Sequence, residues 1–140
     1  MKEVTIIRRE RFSSAHKLWN PDWDAEKNES VFGGCSNPNW HGHNYELIVK
    51  VAGEIDPETG FVMNLKTLSK ILNERVIDKL DHKNLNLDVN FLEGKRTTTE
   101  VLAVAIWAEI ETEITQSGGK LTSVRINETE NNSVEYFGEK

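Results

Sequence analysis

The chain has 140 residues, of which 37% are hydrophobic and 29% charged, so we expect one globular domain covering residues 1–140. Its formal net charge is −6, which argues against a nucleic-acid-binding surface, since such surfaces are normally basic. The single cysteine cannot form an internal disulfide, which favours a reducing, cytoplasmic location. The charged N-terminal segment predicts no signal peptide, and no apolar run is long enough to span a membrane.

The first third of the chain predicts two strands joined by a long loop. Apolar and polar residues alternate over residues 3–15, which indicates a strand. Residues 19–31 are polar, with two tryptophans, and we interpret them as a loop. The alternation resumes over residues 43–54, so a second strand is expected there.

Two helices are predicted in the middle of the chain. Apolar residues repeat every 3.6 positions from Leu65 to Leu80, and Asn64 is a candidate N-cap for this first helix. Thr97 and Glu100 fit a capping box at the start of a second helix, so Glu100 is given no chemical role.

Two more strands, 121–128 and 134–137, complete the order β-β-α-α-β-β. This order predicts an α+β fold in which two helices cover one face of a four-stranded antiparallel sheet. We place Tyr45, Tyr136 and Phe137 on the opposite face. The sheet would have two unpaired edges, which predicts oligomerisation through them.

The chemical groups concentrate between Phe32 and Tyr45. If the second strand begins as early as His41, then His41 and His43 point to the same face, since residues two apart on a strand share a face. With His16, at the end of the first strand, they would give three imidazoles and one open position, as in catalytic zinc sites. On spacing alone, metal binding and ordinary polar histidines both remain open.

Four further side chains are candidates for catalysis: Cys35, Asp81, His82 and Glu128. Cys35 lies in a glycine-rich loop, which favours a thiolate base or nucleophile over a small buried apolar residue. Asp81 could fix the tautomer of a proton-moving His82, or the pair could simply end a helix. Glu128 could accept two N–H bonds from a guanidine-like ring edge, or be a solvated hairpin carboxylate.

In order, these motifs resemble one family over nearly the whole chain: the 6-pyruvoyl-tetrahydropterin synthases and their bacterial relatives, the 6-carboxy-tetrahydropterin synthases. The motifs that carry the resemblance are Phe12-Ser13-Ser14-Ala15-His16, Cys35-Ser36-Asn37-Pro38-Asn39, His41-Gly42-His43-Asn44-Tyr45, Gly53-Glu54-Ile55-Asp56-Pro57, Val62-Met63-Asn64-Leu65, Leu80-Asp81-His82-Lys83-Asn84-Leu85, Thr98-Thr99-Glu100 and Glu128-Thr129-Glu130-Asn131-Asn132.

The resemblance implies the tunnelling fold, in which three subunits join their sheets into a barrel and two trimers stack into a hexamer. It also implies a role for each candidate residue. Those roles are zinc ligands for His16, His41 and His43, the base for Cys35, a relay for Asp81 and His82, and the pterin anchor for Glu128. Sites in the family lie at subunit boundaries, which lets a relay pair serve a neighbouring subunit's thiol.

The implied substrate is 7,8-dihydroneopterin triphosphate, converted to 6-pyruvoyl-tetrahydropterin with elimination of triphosphate. The alternative is the carboxy-forming enzyme of the queuosine (deazaguanine) route, which releases acetaldehyde and triphosphate. The insert before Cys35 and the Cys-Ser-Asn-Pro-Asn motif look more like the pyruvoyl-forming branch. A third interpretation is a non-catalytic pterin-binding protein, but the presence of Cys35, Asp81 and His82 argues against it.

Two features fit the resemblance less closely. The family usually has glycine where this chain has Trp40, and tryptophan rarely adopts positive φ, so a different loop path is expected. The residues that would bind the triphosphate are not identified by a motif, and Lys17 and Lys83 are the candidates.

Overall fold

The computed structural model describes residues 2–140. One sheet of five strands, in the order β3-β1-β2-β4-β5, carries the helices. The strands are β1 (Glu3–His16), β2 (His41–Glu54), β3 (Lys83–Asn84), β4 (Lys120–Asn127) and β5 (Ser133–Tyr136). The helices are α1 (Ala25–Phe32), α2 (Leu65–Leu72), α3 (Asp78–Leu80) and α4 (Thr99–Gln116).

The α+β class is confirmed, but the expected four-stranded, purely antiparallel sheet is wrong. The fifth strand, β3, runs parallel to β1 and pairs through only two positions, Ser14 with Lys83 and Ala15 with Asn84. A pairing this short carries no apolar alternation, so the sequence pattern could not reveal it. The other three pairings, β1–β2, β2–β4 and β4–β5, are antiparallel as predicted.

Helix α1 is a second departure, because all its residues except Phe32 fall in the segment 19–31 that is predicted to be a loop. Asp24 caps it by accepting the Lys27 N–H at 2.8 Å. The only buried residue of the helix is Asn28, whose side chain bonds the backbone of Asn20 at both its N–H and its carbonyl. Polar contacts hold this helix, so it has no apolar stripe to detect.

The predicted first helix is present, although it is not uniformly α-helical. Asn64 caps α2 by accepting the Lys66 N–H at 2.9 Å, as expected. Between α2 and α3 the chain makes a π-helical turn, Asn73–Ile77. The predicted apolar stripe is buried at Leu68, Leu72, Val76 and Leu80, but its first member, Leu65, is 48% exposed, so that part of the prediction is wrong.

The second predicted helix, α4, begins one residue later than the predicted cap. Thr98, not Thr97, is the N-cap, and its hydroxyl accepts the Val101 N–H at 3.2 Å. The predicted capping box is therefore wrong, since the Thr97 hydroxyl instead donates to the Lys17 carbonyl at 3.3 Å. Glu100 is exposed in the first turn of the helix.

The hydrophobic core lies between the helices and one face of the sheet. Tyr45 belongs to that face, because it follows the same alternation as Leu47; it is 1% exposed and stacks on Phe12 at 4.8 Å between ring centroids. Tyr136 packs on Trp107 of α4. The expected placement of both tyrosines on the opposite face is therefore wrong. Within residues 2–140, no helix combines the length and apolarity needed to cross a membrane.

Candidate metal centre and active site

Three imidazoles meet where β1 ends and β2 begins. The register pairs His16 directly with His41 and places Ser14 opposite His43, so the three rings share one face of the two strands. Their candidate ligand nitrogens all lie within 4.8 Å of one another. The histidine triad, defined as His16, His41 and His43, is therefore assembled by strand register alone, as the sequence predicts.

The triad has the polar groups expected of a metal site. His16 is 1% exposed, and its Nδ1 donates to the Thr97 carbonyl at 2.7 Å, which leaves Nε2 as the free lone pair. Within residues 2–140, that Nε2 and both ring nitrogens of His41 are buried without a hydrogen-bond partner. Unpaired buried nitrogens are costly, and coordination of a divalent cation would satisfy His16 Nε2 and one ring nitrogen of His41. The residues present thus fit a metal ion.

The protonation of the triad favours the same conclusion. Burial lowers the pKa of His16, and the charges of the two neighbouring imidazoles lower it further. Burial is also the main cause of the lowered pKa of His41. Both rings are therefore held in the neutral form, which is the form that binds a metal.

Glu128 stands beside the triad, just beyond the end of β4. Its carboxylate accepts a hydrogen bond from the Thr99 hydroxyl at 2.6 Å. Its negative charge opposes the lowering of the pKa of both His16 and His41. It lines a cavity of about 290 Å³, together with Leu18, Thr98, Thr99, Glu100, Asn132, Ser133 and Val134.

Cys35 lies in a short 3-10 turn, Gly33–Ser36, that follows α1, and it is half-buried. Its carbonyl accepts the Leu18 N–H at 2.7 Å. Because Leu18 is two residues after His16 and also lines the Glu128 cavity, this bond holds the thiol's turn near both groups.

Asp81 and His82 form the predicted pair. Asp81 accepts the Ser13 N–H at 2.9 Å and contacts His82 Nδ1 at 3.0 Å. The Ser13 N–H is the main reason that the pKa of Asp81 is lowered. The His82 side chain is 83% exposed and faces a groove of about 560 Å³ that His43 also lines.

The predicted relay pair, Asp81 and His82, is not hydrogen-bonded to the Cys35 thiol. Among residues 2–140, no hydrogen bond links Cys35 to Asp81 or His82. The turn that contains Cys35 borders a different groove, which is lined in part by Lys17, Trp19 and Ser36. The structure therefore groups His82 with His43 in one groove, and the predicted relay to Cys35 stays a prediction.

Sequence reasoning missed three contributors to the site. Thr99 orients Glu128, and the Thr97 carbonyl orients His16, whereas the sequence marks Thr97 only as a capping residue. Tyr45 lies 5.4 Å from His43 between ring centroids, and its hydroxyl is buried without a partner among the described residues. Burial raises the pKa of Tyr45, so the phenol stays neutral. The alternation of β2 placed Tyr45 on the same face as the histidines and could have revealed it.

Trp40 adopts a φ of +67°, so the expectation that a tryptophan would avoid positive φ here is wrong. The loop before His41 accepts the bulky residue in a conformation that usually requires glycine.

Comparisons with known proteins agree with this architecture. A family model described as 6-pyruvoyl tetrahydropterin synthase matches residues 5–139. A 6-pyruvoyl tetrahydrobiopterin synthase from Homo sapiens is 44% identical over 98% of this chain and 93% of its own length. The structure of the Caenorhabditis elegans 6-pyruvoyl tetrahydropterin synthase is 37% identical, with a TM-score of 0.92 over 99% of this chain and 98% of that one. A 6-carboxy-5,6,7,8-tetrahydropterin synthase from Bacillus subtilis is 31% identical over 67% of this chain and 62% of its own.

Proposed function

Because the chain belongs to the 6-pyruvoyl tetrahydropterin synthase family of pterin enzymes, we propose that it is a zinc-dependent lyase acting on 7,8-dihydroneopterin triphosphate. The products would be 6-pyruvoyl-tetrahydropterin and triphosphate, and residues 1–140 would form the single catalytic domain. The observation that carries this proposal is the convergence of three imidazoles, in which His16 Nε2 and both His41 ring nitrogens are buried without a hydrogen-bond partner among the described residues.

The three histidines of the triad would hold the zinc ion. Once bound, zinc would act as a Lewis acid toward the hydroxyl groups of the substrate side chain. The protein contributes orientation: the Thr97 carbonyl fixes the tautomer of His16, so that Nε2 faces the other two rings. Burial lowers the pKa of His16 and of His41, which keeps these two rings neutral.

Glu128 would bind the pterin ring. The Thr99 hydroxyl occupies one of its carboxylate oxygens, which fixes the plane of the group and leaves lone pairs for the substrate. A pterin presents a ring N–H and an exocyclic amine on one edge, which match a carboxylate in the bidentate manner of a guanidinium. The adjoining cavity would receive the ring.

Cys35 would be the base that removes a carbon-bound proton from the substrate side chain. Asp81 would hold the Nδ1–H of His82, leaving Nε2 to give or receive a proton. Within the described part of one chain, no hydrogen bond joins Asp81 or His82 to the Cys35 thiol. We therefore propose that the relay pair serving each thiol comes from a neighbouring subunit. Joining of sheet edges into trimers, and of two trimers into a hexamer, would provide that neighbour.

The second candidate function is that of a 6-carboxy-tetrahydropterin synthase. One relative bears that name, but the similarity covers only two thirds of this chain, whereas the human relative named for the pyruvoyl product aligns over 98%. The same metal, base and anchor would serve either reaction, so the identity of the product distinguishes them.

The test is to incubate the zinc-loaded enzyme with 7,8-dihydroneopterin triphosphate and to identify the products by mass spectrometry. We expect 6-pyruvoyl-tetrahydropterin and triphosphate. A 6-carboxy product with acetaldehyde would establish the second function, and binding without turnover would establish a non-catalytic protein. Cys35→Ala is expected to abolish turnover while retaining zinc; full turnover by this variant would remove Cys35 from the mechanism.

A further inference from the structure

Trp40 holds a backbone conformation that its side chain does not favour. Its φ of +67° lies in the left-handed region, and His82 is the only other non-glycine residue described in residues 2–140 that has a positive φ. Glycine would adopt this conformation without steric cost, so a bulky residue here is strained. Strain at a residue next to the candidate metal ligand His41 calls for a contact by the indole that offsets it.

That contact is with Lys17. The ammonium of Lys17 lies 4.7 Å from the centre of the Trp40 ring and 5.5 Å from the centre of the Trp19 ring. Both distances are within the range of a cation–π interaction. Among the described residues, no carboxylate lies within 4 Å of this ammonium, so the two indoles are its principal partners.

The backbone of Lys17 is fixed independently of its side chain. Its N–H donates to Asn86 Oδ1 at 3.0 Å, and its carbonyl accepts the Asn86 amide at 3.1 Å and the Thr97 hydroxyl at 3.3 Å. Lys17 also follows His16, the most buried member of the triad. The backbone of Lys17 is thus fixed, so its ammonium can hold the Trp40 ring in place.

The segment held in this way connects Cys35 to His41. At its start, the Cys35 carbonyl accepts the Leu18 N–H at 2.7 Å. At its end, the Trp40 N–H donates to the Asn37 carbonyl at 3.2 Å, and the indole ring meets Lys17. Residues 17 and 18 therefore hold both ends of the loop that carries the thiol.

We propose that Trp40 is a positioning residue, which, through Lys17, holds the Cys35 turn in place beside the histidine triad. The inference rests on the proposed function only in taking Cys35 as the base. The contact itself would restrict the motion of the turn whatever reaction the protein catalyses.

The test uses the fact that Cys35 is the only cysteine, so alkylation by iodoacetamide reports on one thiol. We expect Trp40→Gly and Lys17→Met each to raise the rate constant for alkylation of the ionised thiol, measured on the alkaline plateau of its pH profile. The expected increase is about two- to five-fold, the factor corresponding to one exposed cation–π contact. The double variant should react no faster than either single one, because both remove the same contact.

Lys27→Met is the matched control, because it removes the ammonium that lies 4.3 Å from the Trp23 ring in the same region of the chain. It should leave the alkylation rate unchanged, and Lys17→Arg should restore the wild-type rate. Unchanged alkylation rates in both Trp40→Gly and Lys17→Met would overturn the proposal. An equal rate increase in Lys27→Met would also overturn it, because the effect would then not be specific to the contact between Lys17 and Trp40. Full turnover by Cys35→Ala would remove Cys35 from the proposed mechanism but leave the alkylation results of the other variants valid.

Discussion

His16 and His41 face each other directly across β1 and β2, with their ring centroids 4.5 Å apart. A shift of one residue in this register would turn one of the two rings to the opposite face of the sheet. The apolar side chains that alternate along β2, Leu47, Val49 and Val51, are fully buried and oppose such a shift. The core therefore fixes the spacing of the candidate metal ligands.

Removal of one triad member is expected to release the metal. His43→Ala leaves two imidazoles, so its zinc affinity should fall by more than the roughly 10- to 100-fold that loss of an orienting partner costs. Competition with a chromophoric chelator measures the affinity, and elemental analysis after dialysis measures the zinc content. His82→Ala, which removes an exposed imidazole from the same groove, is the control and should retain zinc. Equal zinc affinity in the two variants would contradict the assignment of the triad.

Asp81→Asn is expected to lower the free energy of unfolding by about 1 kcal/mol at pH 7. A hydrogen bond to a charged group contributes about 1.5–3 kcal/mol, and this side chain is 37% exposed, so solvent reduces the effect. The Ser13 N–H keeps the pKa of Asp81 below its ordinary value of 3.8. Its contribution is therefore complete above about pH 4 and is lost as the pH falls through the lowered pKa.

Urea unfolding at several pH values tests this expectation. The difference between wild type and Asp81→Asn should stay constant from neutral pH down to the mildly acidic range and shrink below about pH 4. Asp78→Asn, which alters an exposed carboxylate in α3, should show no comparable difference. A gap between wild type and Asp81→Asn that grows as the pH falls would show that the carboxylate is destabilised by folding.

Thr99→Val is expected to lower kcat/KM for the pterin substrate by about tenfold, since it removes a hydrogen bond to the charged carboxylate of Glu128. Valine has nearly the shape of threonine, so the start of α4 should be preserved. Thr122→Val removes a threonine hydroxyl that donates to the Lys50 carbonyl at 3.1 Å, and it should leave kcat/KM unchanged. Steady-state kinetics with zinc content measured in parallel provides the test, and equal kcat/KM in the two variants would rule out an orienting role for Thr99.

Gly119→Ala is expected to destabilise the fold by about 1–3 kcal/mol through overpacking. A Cβ at this position would overlap the Cγ1 of Val51 and lie 3.4 Å from the Met63 sulfur. At Gly34, a Cβ would meet nothing within 4 Å, so Gly34→Ala is the control. Thermal unfolding measures the stability of both variants. A Gly119→Ala protein as stable as wild type would show that the side chains around position 119 shift to accommodate the added methyl group.

The sequence was most informative where one physical rule determines the structure. A period of two placed His41 and His43 on one face, and a period of 3.6 identified the buried side of the helix that begins after Asn64. It failed for α1, which Asn28 holds by polar contacts, and for β3, which pairs through two residues.

Only part of the candidate site could be predicted from the sequence, and the reason is related. The bond from Thr99 to Glu128 joins residues 29 apart in sequence, and neither residue carries a local signal of the other. No hydrogen bond among the described residues joins Cys35 to His82, so the relay between them stays a prediction.

The link between Thr97 and His16 has a consequence for biosynthesis. All three imidazoles are present once the nascent chain has emerged as far as β2, whereas the carbonyl that orients the first ring is made more than forty residues later. A metal ion bound before that point would lack a fixed His16 ring and would therefore exchange more readily. The candidate site would be complete only when the start of α4 docks on the sheet.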